Sequence, residues 1–182
     1  MKVEATSLPG VLIVQSPVYG DARGFFTETF HEDRFASLGL ATHFAQDNQS
    51  RSTKGVLRGL HYQLENPQAK LVRVASGSVF DVAVDIRRSS PHFGKWVGTT
   101  LAAGDGRQLW IPEGFAHGFL VLSDIADVVY KCTTVYHADS NRGIRWDDQD
   151  IAVQWPLELN QRPSLSDKDR EAPMLHFATV FE

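Results

Sequence analysis

Lys70-Leu71-Val72-Arg73-Val74-Ala75-Ser76-Gly77-Ser78-Val79-Phe80-Asp81-Val82-Ala83-Val84-Asp85-Ile86-Arg87 is the stretch from which the fold is read. From Val79 onward the side chains alternate. Phe80, Val82, Val84 and Ile86 fall on one side, and Asp81, Ala83, Asp85 and Arg87 on the other. A period of two is the strand period, because successive side chains leave opposite faces of an extended chain. Lys70 to Ala75 reads as a partner strand, with Ser76-Gly77-Ser78 as the glycine turn of a hairpin. Outward from this pair, further strands are expected at Phe25–Phe30, Val56–Gln63, Trp96–Leu101, Gln108–Ile111, Gly118–Leu122 and Val128–Tyr136. Glycines punctuate them throughout, among them Gly55, Gly59, Gly77, Gly94, Gly98, Gly104, Gly106, Gly114 and Gly118. Helix signals are few. His31 to Leu38 before Gly39 predicts two turns with a glycine stop. The polar, proline-bounded tail from Ser164 to Pro173 is expected to wrap the surface. Many short strands with frequent glycine turns predict an all-β, antiparallel jelly-roll barrel with a few short peripheral helices.

The composition fits one domain over residues 1–182, with 42% hydrophobic and 22% charged residues. A chain of this size buries roughly 70% of its unfolded surface, so it requires no disulfide or metal staple. Eighteen basic against 22 acidic residues give a net charge of −4, which argues against nucleic acid or an anionic membrane as partner. The aliphatic run Val11-Leu12-Ile13-Val14 is too short for a membrane span or a signal-peptide core. The one cysteine, Cys132, excludes an internal disulfide and fits a reducing cytoplasm.

Of the seven histidines, His31, His43, His92, His137 and His176 read as structural. His61 and His117 stand in glycine-spaced frames: Gly55 before His61, and Gly106, Pro112 and Gly114 before His117. This arrangement resembles the two motifs of the cupin superfamily, which lie on strands lining the mouth of a small jelly-roll barrel. Metal-binding cupins carry His-x-His and a nearby Glu in the first motif. Here the sequence is His61-Tyr62-Gln63, with Pro67 and Gln68 where the Glu would fall. Two of four ligands remain, fewer than the three or so protein ligands of a catalytic metal site. The expectation is a barrel with two inward histidines and no metal. Strict alternation sends Arg58 and His61 to opposite faces, so both reach one site only if Gly59 makes a bulge.

Seven strings together carry a closer resemblance. They are Asp21-Ala22-Arg23-Gly24-Phe25-Phe26, Gln46-Asp47-Asn48, Leu57 to Gln63, Lys70 to Arg73, Gly77 to Asp85, Trp110 to Phe119, and Leu165-Ser166-Asp167-Lys168-Asp169. In this order, from about Gly10 to Pro173, the chain resembles the dTDP-4-dehydrorhamnose 3,5-epimerase family, metal-free cupins of dTDP-L-rhamnose synthesis. The resemblance implies His61 as catalytic base, Asp169 as the carboxylate that orients it, Tyr130 as the acid on the opposite face, and Lys70 as the cation facing the C4 keto oxygen. It implies substrate contacts at Arg23, Phe25, Glu28, Gln46, Asn48, Arg58, His117, Asn141 and Lys168, with Asp81 and Phe119 lining the site. It also implies a homodimer in which the Arg23–Glu28 segment reaches the neighbour's site, a dTDP-4-keto-6-deoxyhexose substrate, no cofactor and a cytoplasmic setting. Ala138 and Asn141 stand where the family usually has proline and glutamate; asparagine keeps an acceptor but loses the charge. The alternatives weighed are a single-carbon epimerase, a metal-dependent cupin and a sugar-nucleotide binding module.

Overall fold

Both sides of the alternating segment are buried, the polar side as completely as the apolar one. The computed structural model describes residues 1–158 and 161–182. Among them, the strands are β1 (Lys2–Ala5), β2 (Leu12–Gln15), β3 (Val18–Asp21), β4 (Gly24–Thr27), β5 (Gln46–Thr53), β6 (Leu57–Gln63), β7 (Lys70–Ser76), β8 (Ser78–Asp85), β9 (Trp96–Ala102), β10 (Arg107–Ile111), β11 (Phe115–Val121), β12 (Ile125–Cys132) and β13 (Asn141–Gly143). Two short α-helices, α1 (Glu32–Ser37) and α2 (Asp167–Glu171), and two single 3₁₀ turns at Ala138–Ser140 and Leu175–Phe177 complete the regular structure. The first sheet runs β1-β2-β10-β7-β12-β5 and the second β13-β6-β11-β8-β9, while β3 and β4 form a separate ribbon. The all-β jelly-roll expectation therefore holds.

Three apolar layers organise the molecule. Val72 and Val74 of β7, Leu109 and Ile111 of β10, and Val128 of β12 meet Val79 and Ala83 of β8, Leu101 of β9 and Phe115, Phe119 and Val121 of β11 between the two sheets. Val82, Val84 and Ile86 lie on the outer face of the second sheet, covered by Ile144, Ile151, Leu175, Ala178 and Val180. Phe35 of α1 covers Val14 and Leu71 on the outside of the first sheet. The polar side of β8 thus faces the space between the sheets, where Asp81 and Asp85 are fully buried.

The expected hairpin is overturned. β7 pairs with β10 and β12, whereas β8 pairs with β11 and β9. Gly77 is a corner at which the chain leaves one sheet for the other. Its φ is +73°, and a Cβ there would lie 2.0 Å from the Ile125 carbonyl oxygen. A left-handed glycine serves a hairpin or a corner equally well. What decides is that each strand needs two paired edges, and each sheet supplies them separately.

The tail is also more than a wrapping. Residues 167–171 form α2, capped by Ser166, and Asp169 is buried beneath it. Further back, buried Asp148 accepts backbone N–H groups from Asp150 (3.0 Å), Ile151 (2.9 Å) and Leu175 (2.6 Å), which pins the segment following α2. Asp148→Ala leaves these donors without their acceptor. It is expected to cost about 3 kcal/mol, read as a lower urea midpoint at unchanged slope; a midpoint equal to wild type would show that the pin contributes nothing.

Candidate functional site

The bulge required of Gly59 is present. His61 pairs with His117 and Arg58 with Phe119, so three residues of β6 span what two of β11 span. Gly59 has φ +127°, and a Cβ on it would lie 2.5 Å from the Gly118 Cα and 2.8 Å from the His117 carbonyl oxygen. Only glycine tolerates this backbone approach. The result is that Leu60 and Tyr62 join the outer apolar layer. Arg58 stays exposed and reaches across to the first sheet, its Nε donating to Ser52 Oγ of β5 at 3.0 Å.

At the open end between the sheets lies a cleft of about 230 Å³, lined by Gln46 and Asn48 of β5, His61 and Gln63 of β6, Gln68, Lys70 of β7, Tyr130 of β12, Tyr136 and Asn141. His61 enters from the second sheet; Lys70 and Tyr130 enter from the first. The ammonium of Lys70 lies 6.0 Å from the centre of the Tyr130 ring, and the Tyr130 and His117 rings are 6.5 Å apart.

Each inward histidine holds a carboxylate through Nε2, but the carboxylates come from different places. His117 Nε2 lies 3.0 Å from both oxygens of Asp81, a neighbouring strand residue within the sheet. His61 Nε2 bonds to Asp169 Oδ1, which the C-terminal helix delivers. Burial pushes the Asp169 carboxyl up, yet the hydrogen bond and charge of His61, followed by Ser166 and Lys168, outweigh it and hold the group below the usual carboxylate value. An ionised carboxylate only accepts, so Nε2 must donate, leaving Nδ1 as the nitrogen with a free lone pair. Burial lowers Lys70 below an ordinary lysine, opposed by Cys132 and Asp81. Burial raises the Tyr130 phenol, with Cys132 adding to this and Arg58 opposing it. A base with a fixed tautomer on one wall and an O–H donor with an N–H donor on the other can exchange a carbon-bound proton.

The remaining residues singled out in the sequence divide into four groups. Asp81 and Phe119 are buried beside His117, whose ring lies 6.2 Å from that of Phe119. Lys168 is exposed next to Asp169. Arg23, Phe25 and Glu28 are not brought to the cleft. Arg23 pairs with Asp21 at the ribbon turn, Glu28 with Arg34, and Phe25 is 58% exposed beside Phe26 at 69% and Tyr19 at 65%. Asn141 lines the cleft and donates to the Tyr136 hydroxyl at 2.9 Å.

Sequence reasoning passed over Gln68, Tyr136 and Ser166. Tyr136 joins a chain of contacts in which its N–H donates to Gln46 Oε1, Gln46 Nε2 to Asn48 Oδ1, and Asn48 Nδ2 to the sulfur of Cys132. No spacing rule signals such a chain. Ser166 did carry a signal, since Ser166-Asp167-Lys168-Asp169 has the Ser-x-x-acid spacing of a helix cap. Among the described residues, no three His, Cys, Asp or Glu side chains converge in a way that could hold a metal ion. Nor is any helix long and apolar enough to cross a membrane.

The family model described as dTDP-4-dehydrorhamnose 3,5-epimerase matches residues 5–176. The enzyme of that name from Shigella flexneri is 58% identical over 171 residues, covering 93% of each chain. The crystal structure of dTDP-6-deoxy-D-glucose-3,5-epimerase RmlC from Legionella pneumophila, in complex with dTDP-4-keto-L-rhamnose, superposes with TM-score 0.93 at 50% identity, covering 98% of this chain and 94% of that one. ChmJ, a 3'-monoepimerase from Streptomyces bikiniensis in complex with dTDP-quinovose, shares the fold at 33% identity and TM-score 0.87, covering 94% and 86%. A cleft with a carboxylate-held histidine facing a lysine and a tyrosine, on a chain matched almost end to end, places this protein in the dTDP-4-dehydrorhamnose 3,5-epimerase family.

Proposed function

We propose that this chain inverts C3 and C5 of dTDP-4-dehydro-6-deoxy-D-glucose, giving dTDP-4-dehydro-L-rhamnose for dTDP-L-rhamnose biosynthesis. The observation that carries this reading is the placement of His61 and Tyr130 on opposite walls of one cleft, with Lys70 beside Tyr130. Both carbons flank the C4 ketone, so each proton is acidified by the same carbonyl. His61, its tautomer fixed by Asp169, takes the proton from one face. Lys70 donates to the C4 oxygen as negative charge gathers there. The Tyr130 hydroxyl returns a proton to the carbon from the other face, which inverts it. Arg58 and Lys168, with Arg23 of a second copy, supply positive charge for the diphosphate, a group suited to forked guanidinium contacts.

The exposed ribbon supports a homodimer. Tyr19, Phe25 and Phe26 are more than half exposed on two strands that pair only with each other, within this chain. An apolar patch beside Arg23 fits a neighbour's cleft rather than water. Sedimentation of the purified protein at twice the chain mass checks this, and a chain-mass species that is fully active rules it out. The setting is cytoplasmic, where the nucleotide sugar is made and one buried thiol stays reduced.

The test is proton NMR of the protein with the 4-keto substrate in heavy water. Deuterium at both C3 and C5 is the expected result. The second reading, exchange at C3 alone, is favoured by the likeness to the 3'-monoepimerase. No exchange at either carbon overturns both readings.

A further inference from the structure

Ser166 holds Asp169 from two directions. Its Oγ accepts the Asp169 backbone N–H at 3.1 Å, and its O–H donates to Asp169 Oδ2 at 2.8 Å. The other carboxylate oxygen, Oδ1, takes Nε2 of His61. A carboxylate on a short side chain has one free rotation about Cβ–Cγ that matters here. With Oδ2 tied to Ser166 and the backbone tied to the same hydroxyl, Oδ1 has one place to go. We infer that Ser166 is a positioning residue, fixing the orientation of Asp169 and through it the tautomer of His61, an inference that rests on the epimerase reading for its kinetic consequence.

Helix capping alone does not account for the arrangement. A cap needs only an acceptor for the backbone N–H, which is the first of the two bonds. The second bond runs the other way, from the hydroxyl to the side chain, and adds nothing to the termination of a five-residue helix. Its effect is on the carboxylate, where Ser166 is one of the influences that keep the group ionised. His61 faces Asp169 from β6 and Lys168 faces it from α2. Across the cleft stand Lys70 and Tyr130, and His117 lies opposite His61 in register. Ser166 itself is exposed, so the methyl group of a threonine there can point to solvent.

Ser166→Gly removes the hydroxyl while keeping a tolerated cap residue, and Ser166→Thr restores the hydroxyl. In the glycine variant kcat is expected to fall about tenfold with KM unchanged, by analogy with the outer hydrogen-bond partners of metal-bound histidines. The sign of the pH effect follows from the loss of a contact that favours the ionised form. Asp169 then protonates at a higher pH, so activity on the acid side is lost earlier as pH falls, and the acid limb of kcat moves upward. The nitrogen NMR shifts of His61 in free protein are expected to change from one tautomer to a mixture, and Ser166→Thr to restore the wild-type pattern in both readouts. A glycine variant with the wild-type tautomer and acid limb overturns the inference, even if it is less stable or slower, because capping alone then explains it. So does failure of threonine to restore either readout. The tautomer measurement needs no substrate, so it tests Ser166 even if the wild-type protein shows no epimerisation, a result that would count against the function alone.

Discussion

His61→Ala is expected to lower deuterium incorporation at both C3 and C5 by about three to four orders of magnitude, the upper range for loss of a positioned general base. The two carbons are expected to fail together, because the proposed mechanism has one imidazole serve both. Water is a poor substitute: it is not held against Asp169, and the proton it accepts is not stabilised by the buried carboxylate. The fold is expected to survive, since His61 is only partly buried and its strand is held by β11 and β13. The check is a proton NMR time course in heavy water at matched protein concentration, alongside a wild-type melting curve. Exchange at either carbon within tenfold of wild type would remove His61 from the role of base.

Lys70→Met is expected to lower kcat about 10²–10³-fold with little change in KM. The argument is one of mismatch. The α-proton of a ketone is a weaker acid than imidazolium by about ten pKa units, on the order of 14 kcal/mol at about 1.36 kcal/mol per unit. His61 alone cannot bridge that gap. A preorganised donor at the developing oxyanion contributes about 3–4 kcal/mol, and positioning of the sugar must supply much of the rest. Methionine keeps the length and apolar stem of lysine and removes only the donor. A pH signature accompanies the change. Burial lowers Lys70, so its charge is lost as pH rises through a value below the ordinary lysine range. The wild-type profile is expected to fall on its alkaline side there, and Lys70→Met to lose that fall. Tyr130, shifted upward, stays protonated through the same window and does not produce it. A methionine variant with wild-type kcat, or one that retains the alkaline fall, would dismiss Lys70 as the oxyanion donor.

What the sequence discloses and what it hides follow from the same physics. β8 and β11 are legible because they are sandwiched by apolar layers, so their composition is dominated by valine, alanine and phenylalanine. β5, Gln46-Asp47-Asn48-Gln49-Ser50-Arg51-Ser52-Thr53, went unread as a strand because it carries no apolar residue. It is an edge strand whose Gln46 and Asn48 line the cleft, so the polar cleft lining itself erases the strand signature. Gly77 was read as a turn because local conformation does not tell a hairpin from a corner; the partner of each strand is a long-range fact. His61 and Arg58 were placed conditionally on a bulge at Gly59, and the close approach of Gly59 to Gly118 supplies it. The tail was underestimated because its polar residues look like surface, and most of them are. Asp169 is buried only because His61 waits for it more than 100 residues away.

The unequal supply of the two carboxylates has a consequence for how the molecule wears out. Asp81 belongs to the walls, on a strand paired directly with that of His117. Asp169 rides on a segment outside both sheets, docked by apolar side chains, by the grip of Asp148 upon Leu175 and by backbone bonds that Ser164 and Pro173 make to the barrel. Local openings of such a segment cost less than dismantling the sheets. Warming or a nick in the tail is therefore expected to leave a folded barrel from which Asp169 and its neighbour Lys168 have both withdrawn, so that turnover fails before the core does.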